Sequence, residues 1–348
     1  MASESYRPDT RHTSLGIGLI GCGSIAQGAH LPAYRKYGFV VVGAFDVFPE
    51  ALQTVRDDFG VTPFTSIDDL LADRRVLVAD VAVRTEDRYP VIQKALEAGK
   101  HVLSQKPFAP TLDEARSLVA LADERGLTIG VNQNGRWAPS WRQATVWREQ
   151  GAIGEVRHIT HDFHTSFAWT VGRHFDAQEH FVLYDYASHW FDITRCWLEG
   201  KTVVQVRAWD TRSGAQGANS RTPWNMFAEI KCADGTVATL IGTGAAKADT
   251  ILSHTFELTG SAGSIRGEVL DREWVELDVA GNPARLTPDT QWFPDGFAGA
   301  MGELQAAIVE EREPFNSGRH VLATLELALA AVESAEQNGT PREVHIPL

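Results

Sequence analysis

Over the first third of the chain, short apolar runs alternate with longer segments of helical periodicity. Residues 15–20, 40–45, 78–83, 101–104 and 127–131 read as buried strands, each too short and too uniformly apolar for a surface helix. Between them, helices are predicted from Ala26 to about Tyr37, over 49–59 with Pro49 at the start, in a short segment opened by Ser66-Ile67-Asp68-Asp69, and over 89–98. A further helix opens at the capping box Thr111-Leu112-Asp113-Glu114 and runs to about Arg125, and Gly99 and Gly126 close their helices. Regular alternation of this kind predicts a parallel sheet covered by helices on both faces.

The pattern changes near Asn132. A helix is predicted over 137–150, broken by Gly151-Ala152-Ile153-Gly154; a strand over 155–164; and a helix over 181–198 that ends at Glu199-Gly200. From 202 to 279 longer alternating strands follow, with turns at Asp234-Gly235 and Ala262-Gly263, and helices over 297–311 and 321–337 close the chain. The expected fold class is therefore α/β: an N-terminal Rossmann domain with a parallel sheet, then a C-terminal α+β domain with a large, mostly antiparallel open sheet. The expected division is a flexible tail over 1–14, the nucleotide domain over 15–133 and a substrate and oligomerisation domain over 134–348. Ligands of open α/β sheets bind beyond the carboxyl ends of the strands, so the active site is expected in the cleft between the domains.

One stretch carries chemistry directly. Gly21-Cys22-Gly23-Ser24-Ile25-Ala26 lies between an apolar strand and a helix, and a second strand ends at Asp46, 25 residues after Gly21. Gly21 permits the sharp turn, Gly23 lets a pyrophosphate approach the backbone, and Ala26 allows close packing of helix on strand. The helix N-terminus at Ser24 and Ile25 offers amide N–H groups and partial positive charge to the phosphates. Asp46 suits the ribose hydroxyls. It would repel a 2′-phosphate by roughly 1–4 kcal/mol at contact distance, and Val47-Phe48-Pro49 adds no cation. The cofactor expected is NAD, with NADP less favoured.

Composition narrows the classes. With 348 residues, 43% hydrophobic and 22% charged, the chain is long enough for two domains and a large core. A net charge of −13 with no basic stripe disfavours nucleic acid and anionic membrane surfaces. No stretch approaches 18 apolar residues and the polar first 14 residues lack the apolar core of a leader, so a cytoplasmic protein is expected. Cys22, Cys196 and Cys232 have no metal-like spacing and suit a reducing compartment.

Several side chains are candidates for the reaction. Lys106 follows a buried strand and is held by Pro107. Asp185 and His189 are four apart in a predicted helix, which places them on one face. A carboxylate and an imidazole so placed can transfer protons, ligate a metal or form a structural pair; no third ligand is evident, and no metal is expected. His158, His161 and His164 lie in a predicted strand, where residues three apart face opposite ways, so they read as solvent or core histidines. Trp137, Trp141 and Trp169 are the tryptophans considered for a flat face against a sugar ring, and Asn134 and Arg136 join Trp137 as expected substrate contacts.

These motifs resemble the Gfo/Idh/MocA oxidoreductases, the group of glucose-fructose oxidoreductase and inositol 2-dehydrogenase. The resemblance spans essentially residues 15–345. It rests on the glycine motif, Ala95-Leu96-Glu97-Ala98-Gly99-Lys100-His101-Val102-Leu103, Lys106-Pro107, Gly151-Ala152-Ile153-Gly154-Glu155-Val156, and Asp185-Tyr186-Ala187-Ser188-His189 with Asp192 ahead of Trp197-Leu198-Glu199-Gly200. It implies that Lys106, Asp185 and His189 line the site at the nicotinamide. His189 would accept the proton of a substrate hydroxyl, Lys106 would hydrogen-bond that oxygen, and Asp185 would orient substrate or support His189. Two departures stand out. Gln105 replaces the family's glutamate before Lys-Pro, and Arg84-Thr85-Glu86-Asp87-Arg88 replaces its usual loop after the strand. Arg84 and Arg88 either contact the cofactor or an acidic substrate or pair with Glu86 and Asp87, the pairing being favoured; Arg84 and Gln105 complete the expected cofactor set with Lys106.

The resemblance implies NAD-dependent oxidation of a secondary alcohol of a sugar or cyclic polyol, or reduction of the corresponding ketone, in a homodimer or homotetramer paired through the open sheet. An alternative keeps NAD bound through a redox-neutral glycosidase or lyase cycle with a transient keto-sugar. A non-catalytic NAD-binding regulator is less consistent with an intact lysine and histidine.

Overall fold

The computed structural model describes residues 6–214, 216, 220–247 and 250–348; residues 1–5 of the expected tail lie outside the described residues. The chain divides into two compact units, one of Arg7–Trp137 and Trp292–Leu322, the other of Ala138–Gln291 and Ala323–Leu348 together with Tyr6.

The first unit runs β1 (Ile17–Ile20), α1 (Leu31–Tyr37), β2 (Val41–Phe45), α2 (Pro49–Phe59), α3 (Ile67–Ala72), β3 (Val78–Val81), α4 (Thr85–Glu97), β4 (His101–Ser104), α5 (Leu112–Arg125) and β5 (Ile129–Val131). The five strands form a parallel sheet in the order β2-β1-β3-β4-β5. Every position of β1 and β3 is buried, as a sheet covered on both faces requires. The helix starts follow side-chain chemistry. Ser66 accepts from the Asp69 amide at 3.0 Å and Thr111 from that of Glu114 at 3.2 Å. One boundary departs from expectation. α4 begins at Thr85, not at Tyr89, because Glu86 and Asp87 fill its first turn, where the helix dipole favours acids, and Pro90 lies inside it.

The second unit contains α6 (Pro139–Glu149), β6 (Val156–His164), α7 (Ser188–Trp197), β7 (Thr202–Thr211), β8 (Asn225–Cys232), β9 (Val237–Thr243), β10 (Ser253–Gly260), β11 (Ser264–Glu268), β12 (Trp274–Val279) and β13 (Asn282–Leu286). After α8 (Phe297–Val309) and α9 (Gly318–Glu336), β14 (Arg342–Pro347) returns to the same sheet, whose order is β13-β12-β11-β10-β6-β9-β8-β7-β14. Only β6 and β9 pair in parallel; the other pairs are antiparallel. β13 shows no apolar alternation in the sequence, and its first four residues are exposed, so hydrophobic pattern carries no sign of it.

α8 belongs to the first unit, where Phe297, Met301 and Leu304 pack with Ile17, Leu19 and Leu103. The segment expected as a loose tail is also fixed from Tyr6 onward. The Tyr6 hydroxyl donates to Asp289 at 3.1 Å, Val40 N–H donates to the Thr13 carbonyl at 3.2 Å, and both backbone groups of Leu15 bond to the Gln305 amide at 3.0 Å.

In the second unit the inner sheet face carries an aromatic core. His161 stacks on Trp197 at 5.5 Å and bonds Thr194 at 3.0 Å, and the Trp197 indole donates to Thr145 at 2.9 Å. Burial pushes His161 down to about 3. His158 and His164 are exposed, so the three histidines divide between the faces as the strand period requires. Among the described residues, no three His, Cys, Asp or Glu side chains gather as a metal site, and no helix is long and apolar enough to cross a membrane.

Candidate active site

In the nucleotide unit the glycine motif turns out of β1 at the point where the sheet order reverses, the place where such sheets bind ligands. Gly21 has φ +98°, and a Cβ there would lie 2.8 Å from the Ala82 carbonyl carbon, so the turn excludes other residues. A Cβ on Gly23 would meet nothing within 4 Å; open space lies over that backbone. Gly23, Ser24 and Ile25 are exposed at the start of the helical run, whose first-turn amides have no intrahelical acceptor. Asp46 directly follows β2, half-buried, and ties the two loops together. Its Oδ2 accepts from Cys22 N–H at 2.6 Å and its Oδ1 from Phe48 N–H at 2.8 Å, and each oxygen keeps a second lone pair for a hydroxyl. An exposed amide cradle beside a carboxylate matches the chemistry of a pyrophosphate joined to a ribose, so these residues fit NAD.

Lys106 follows β4 and is partly buried. The side chain of Gln105 is interior, 5% exposed; its Oε1 accepts from the Lys106 N–H at 3.1 Å and its Nε2 lies 2.6 Å from His30 Nε2. Arg88 is interior too, and donates to the carbonyls of Val83 at 2.9 Å, Lys106 at 3.4 Å and Pro107. Arg84 is exposed as the residue before α4. Asn134, Arg136 and Trp137 form a buried 3₁₀ turn. Asn134 accepts from the Trp292 indole at 2.6 Å, Arg136 donates to the Phe315 carbonyl, and Trp137 fills the space left by Gly299, where a Cβ would come within 2.2 Å of it.

In the second unit, Asp185 and His189 do not share one regular helix. Val182–Tyr186 is a π-helical turn, Ala187 breaks the run at ψ 0°, and α7 begins at Ser188. A π turn followed by the break at Ala187 means that a spacing of four does not follow one regular α-helical face; Tyr186 packs on Phe167 at 4.5 Å and on Trp190 at 5.0 Å. His189 is 8% exposed in the first turn of α7, and Asp185 is half-buried. Asp192 is buried and accepts from the Thr324 hydroxyl at 2.7 Å.

Beneath this segment lies a set that sequence reasoning missed. Asp271 accepts from His254 Nδ1 at 2.8 Å, and His254 Nε2 accepts from the Tyr186 hydroxyl at 2.9 Å. Burial pushes the Tyr186 hydroxyl up, so it holds its proton and donates. Burial pushes His254 down against the pull of Asp271. Tyr186, stacked on Trp190 at 5.0 Å, thereby anchors the backbone between Asp185 and His189. Of the three tryptophans considered for a sugar face, Trp141 is fully buried between Trp190 and Trp197 and is core. Trp169 is 40% exposed and is held edge-on by Phe167, Phe175 and Phe181.

The chain is similar to known proteins over most of its length. Residues 15–133 match the model of an oxidoreductase family with an NAD-binding Rossmann fold, and residues 141–266 match the GFO/IDH/MocA C-terminal domain. D-apiose dehydrogenase of Paraburkholderia graminis is 25% identical over 338 residues, covering 92% of this chain and 88% of that one. 1,5-Anhydro-D-fructose reductase of Ensifer adhaerens is 33% identical over 138 residues, 39% of this chain and 41% of its own. The fold is shared with an oxidoreductase from Agrobacterium radiobacter crystallised with NAD+, L-tartaric acid and magnesium, at a TM-score of 0.84 and 22% identity over 95% of this chain and 98% of that one. With residues 15–133 and 141–266 matched to the two domain models of one family, this chain belongs to the Gfo/Idh/MocA oxidoreductases and binds NAD.

Proposed function

We propose that the protein is an NAD-dependent dehydrogenase that interconverts a secondary alcohol of a sugar or cyclic polyol and its ketone. What supports this reading is that one chain carries both an NAD-type cradle at Gly21–Ser24 and Asp46 and the side chains Lys106, Asp185 and His189, and is similar to D-apiose dehydrogenase over 92% of its length. Bound NAD supplies the acceptor for the hydride that leaves the carbinol carbon.

The residues of the chain do the rest. The His189 imidazole takes the hydroxyl proton as the C–O bond gains double-bond character. The Lys106 ammonium donates a hydrogen bond to that oxygen and offsets its developing negative charge. Asp185 orients a neighbouring hydroxyl or the imidazole. In reverse, His189 returns the proton to the ketone oxygen. The deciding experiment screens sugars, inositols and glycosides with NAD, following absorbance at 340 nm and substrate together. NADH formed in step with substrate consumed supports the dehydrogenase; consumption with release of an aglycone and no NADH assigns the redox-neutral cycle instead.

Asp46 sets the nucleotide preference in this reading. Asp46→Asn keeps an acceptor for the Cys22 amide but removes the charge. The KM for NAD is expected to rise roughly 10–100-fold, the loss of hydrogen bonds to a charged group, with a reduced NAD over NADP preference measured by initial rates.

The outer face of the nine-stranded sheet carries Ile241 and Trp209, 48% and 39% exposed, with Phe227 between them in register and stacked on Trp209 at 4.4 Å. We infer that this face pairs with a second copy to form a homodimer or homotetramer. Light scattering at micromolar concentration tests this: a dimer or larger species is expected, dissociated by Ile241→Glu, and a lone monomer peak in the unaltered protein refutes it.

A further inference from the structure

Asp80 stands in the middle of β3, where the sheet around it is apolar and its side chain is fully buried. Its Oδ2 accepts from the Tyr34 hydroxyl at 2.6 Å and lies 2.7 Å from His30 Nδ1, while Oδ1 meets no hydrogen-bond partner among the described residues. A buried carboxylate with an unsatisfied oxygen is costly, and an apolar residue would serve the packing better.

Obligate donors fix the protons in this cluster. The Lys106 backbone N–H can only donate, so Gln105 turns its Oε1 toward it and its Nε2–H toward His30 Nε2. The Trp292 indole N–H can only donate as well. Asn134 therefore accepts with Oδ1 and donates through Nδ2 to Asn132 Oδ1 at 3.3 Å, which leaves Asn132 Nδ2 to donate to His30 Nε2 at 3.3 Å. Two independent chains thus make His30 Nε2 an acceptor. The ring proton is on Nδ1 and is donated to Asp80. The line runs from Asp80 through His30 and Gln105 to the peptide of Lys106, and Arg88 holds the carbonyls on the far side.

We propose that His30, oriented by Asp80, is a positioning residue for the reaction: it fixes the Gln105 amide, and Gln105 fixes the backbone from which Lys106 reaches the substrate oxygen. Gln105 acts here through its amide geometry and not as a contact to the nucleotide. The inference rests on the reading of Lys106 as a reacting group.

Long-range proton–nitrogen spectra of the full chain labelled in histidine nitrogen test the tautomer. A protonated Nδ1 and a bare Nε2 are expected for His30. Gln105→Glu replaces the donor with a second carboxylate and is expected to place a second proton on the ring. A wild-type His30 bearing its proton on Nε2 overturns the proposal. In kinetics, His30→Leu and Gln105→Glu are expected to lower kcat roughly 10–100-fold, the scale of a small misplacement of a reacting group, with the KM for NAD within about twofold. His30→Gln, whose amide oxygen can accept where Nε2 does, is expected to restore most of that loss even if His30→Leu fails to fold. Failure of His30→Gln to exceed His30→Leu in a folded pair, or wild-type kcat in both lowered variants, overturns the positioning role. Lys106→Met separates the two readings. Lost turnover in that variant beside wild-type kcat in His30→Leu removes His30 alone. Full turnover in Lys106→Met removes the reading of Lys106 and the role of His30 with it.

Discussion

Replacing His189 with Asn is expected to lower kcat by about 10²–10⁴-fold if it is the base proposed above, the usual contribution of a positioned general base. Asparagine fills much of the volume in the first turn of α7 and keeps polar atoms there, so near-ultraviolet circular dichroism should be unchanged. It cannot take up a proton near neutral pH. NAD affinity, read from quenching of the ten tryptophans, is expected to remain within about twofold, because the nucleotide cradle lies on other residues. The loss should fall equally on kcat and kcat/KM, the mark of an interaction made in the transition state. Turnover unchanged in this variant removes the base assignment.

The second large effect is expected at Lys106. Lys106→Met keeps the length and most of the apolar stem but removes the only charge offered to the reacting oxygen in this reading. A loss of about 10²–10³-fold in kcat is expected, the scale set by removing one donor from a site of developing negative charge. Arginine is not expected to restore it, since a planar fork cannot replace a compact ammonium group in the same space. Stopped-flow hydride transfer under single turnover checks that the slow step is chemical.

How much of this was legible in the sequence follows from what kind of signal each part leaves. The parallel sheet, the capping boxes at Ser66 and Thr111 and the turns at Gly21 and Gly126 are local: period, side-chain oxygen and glycine each act within a few residues. β13 leaves no such mark, because a polar, exposed edge strand has no apolar alternation to read. The break between Asp185 and His189 was hidden because a spacing of four reads as one helical face, and a single π turn leaves no mark in that spacing. The partners of His30, His254 and Gln105 are 50, 17 and 75 positions away, at Asp80, Asp271 and His30. One clue was present: a carboxylate at Asp80 inside an apolar strand demands buried donors, and His30 and Tyr34, four apart in the helical run after β1, were candidates to supply them.

The glycine turn also carries a thiol. Cys22 is fully buried, and burial together with the nearby Asp46 charge pushes it up to about 12. The thiol therefore stays protonated at physiological pH, and the thiolate is the form that reacts with alkylating agents and peroxides. Peroxide or iodoacetamide is expected to consume the half-buried Cys196 before the buried Cys22, and coenzyme binding is expected to survive that labelling.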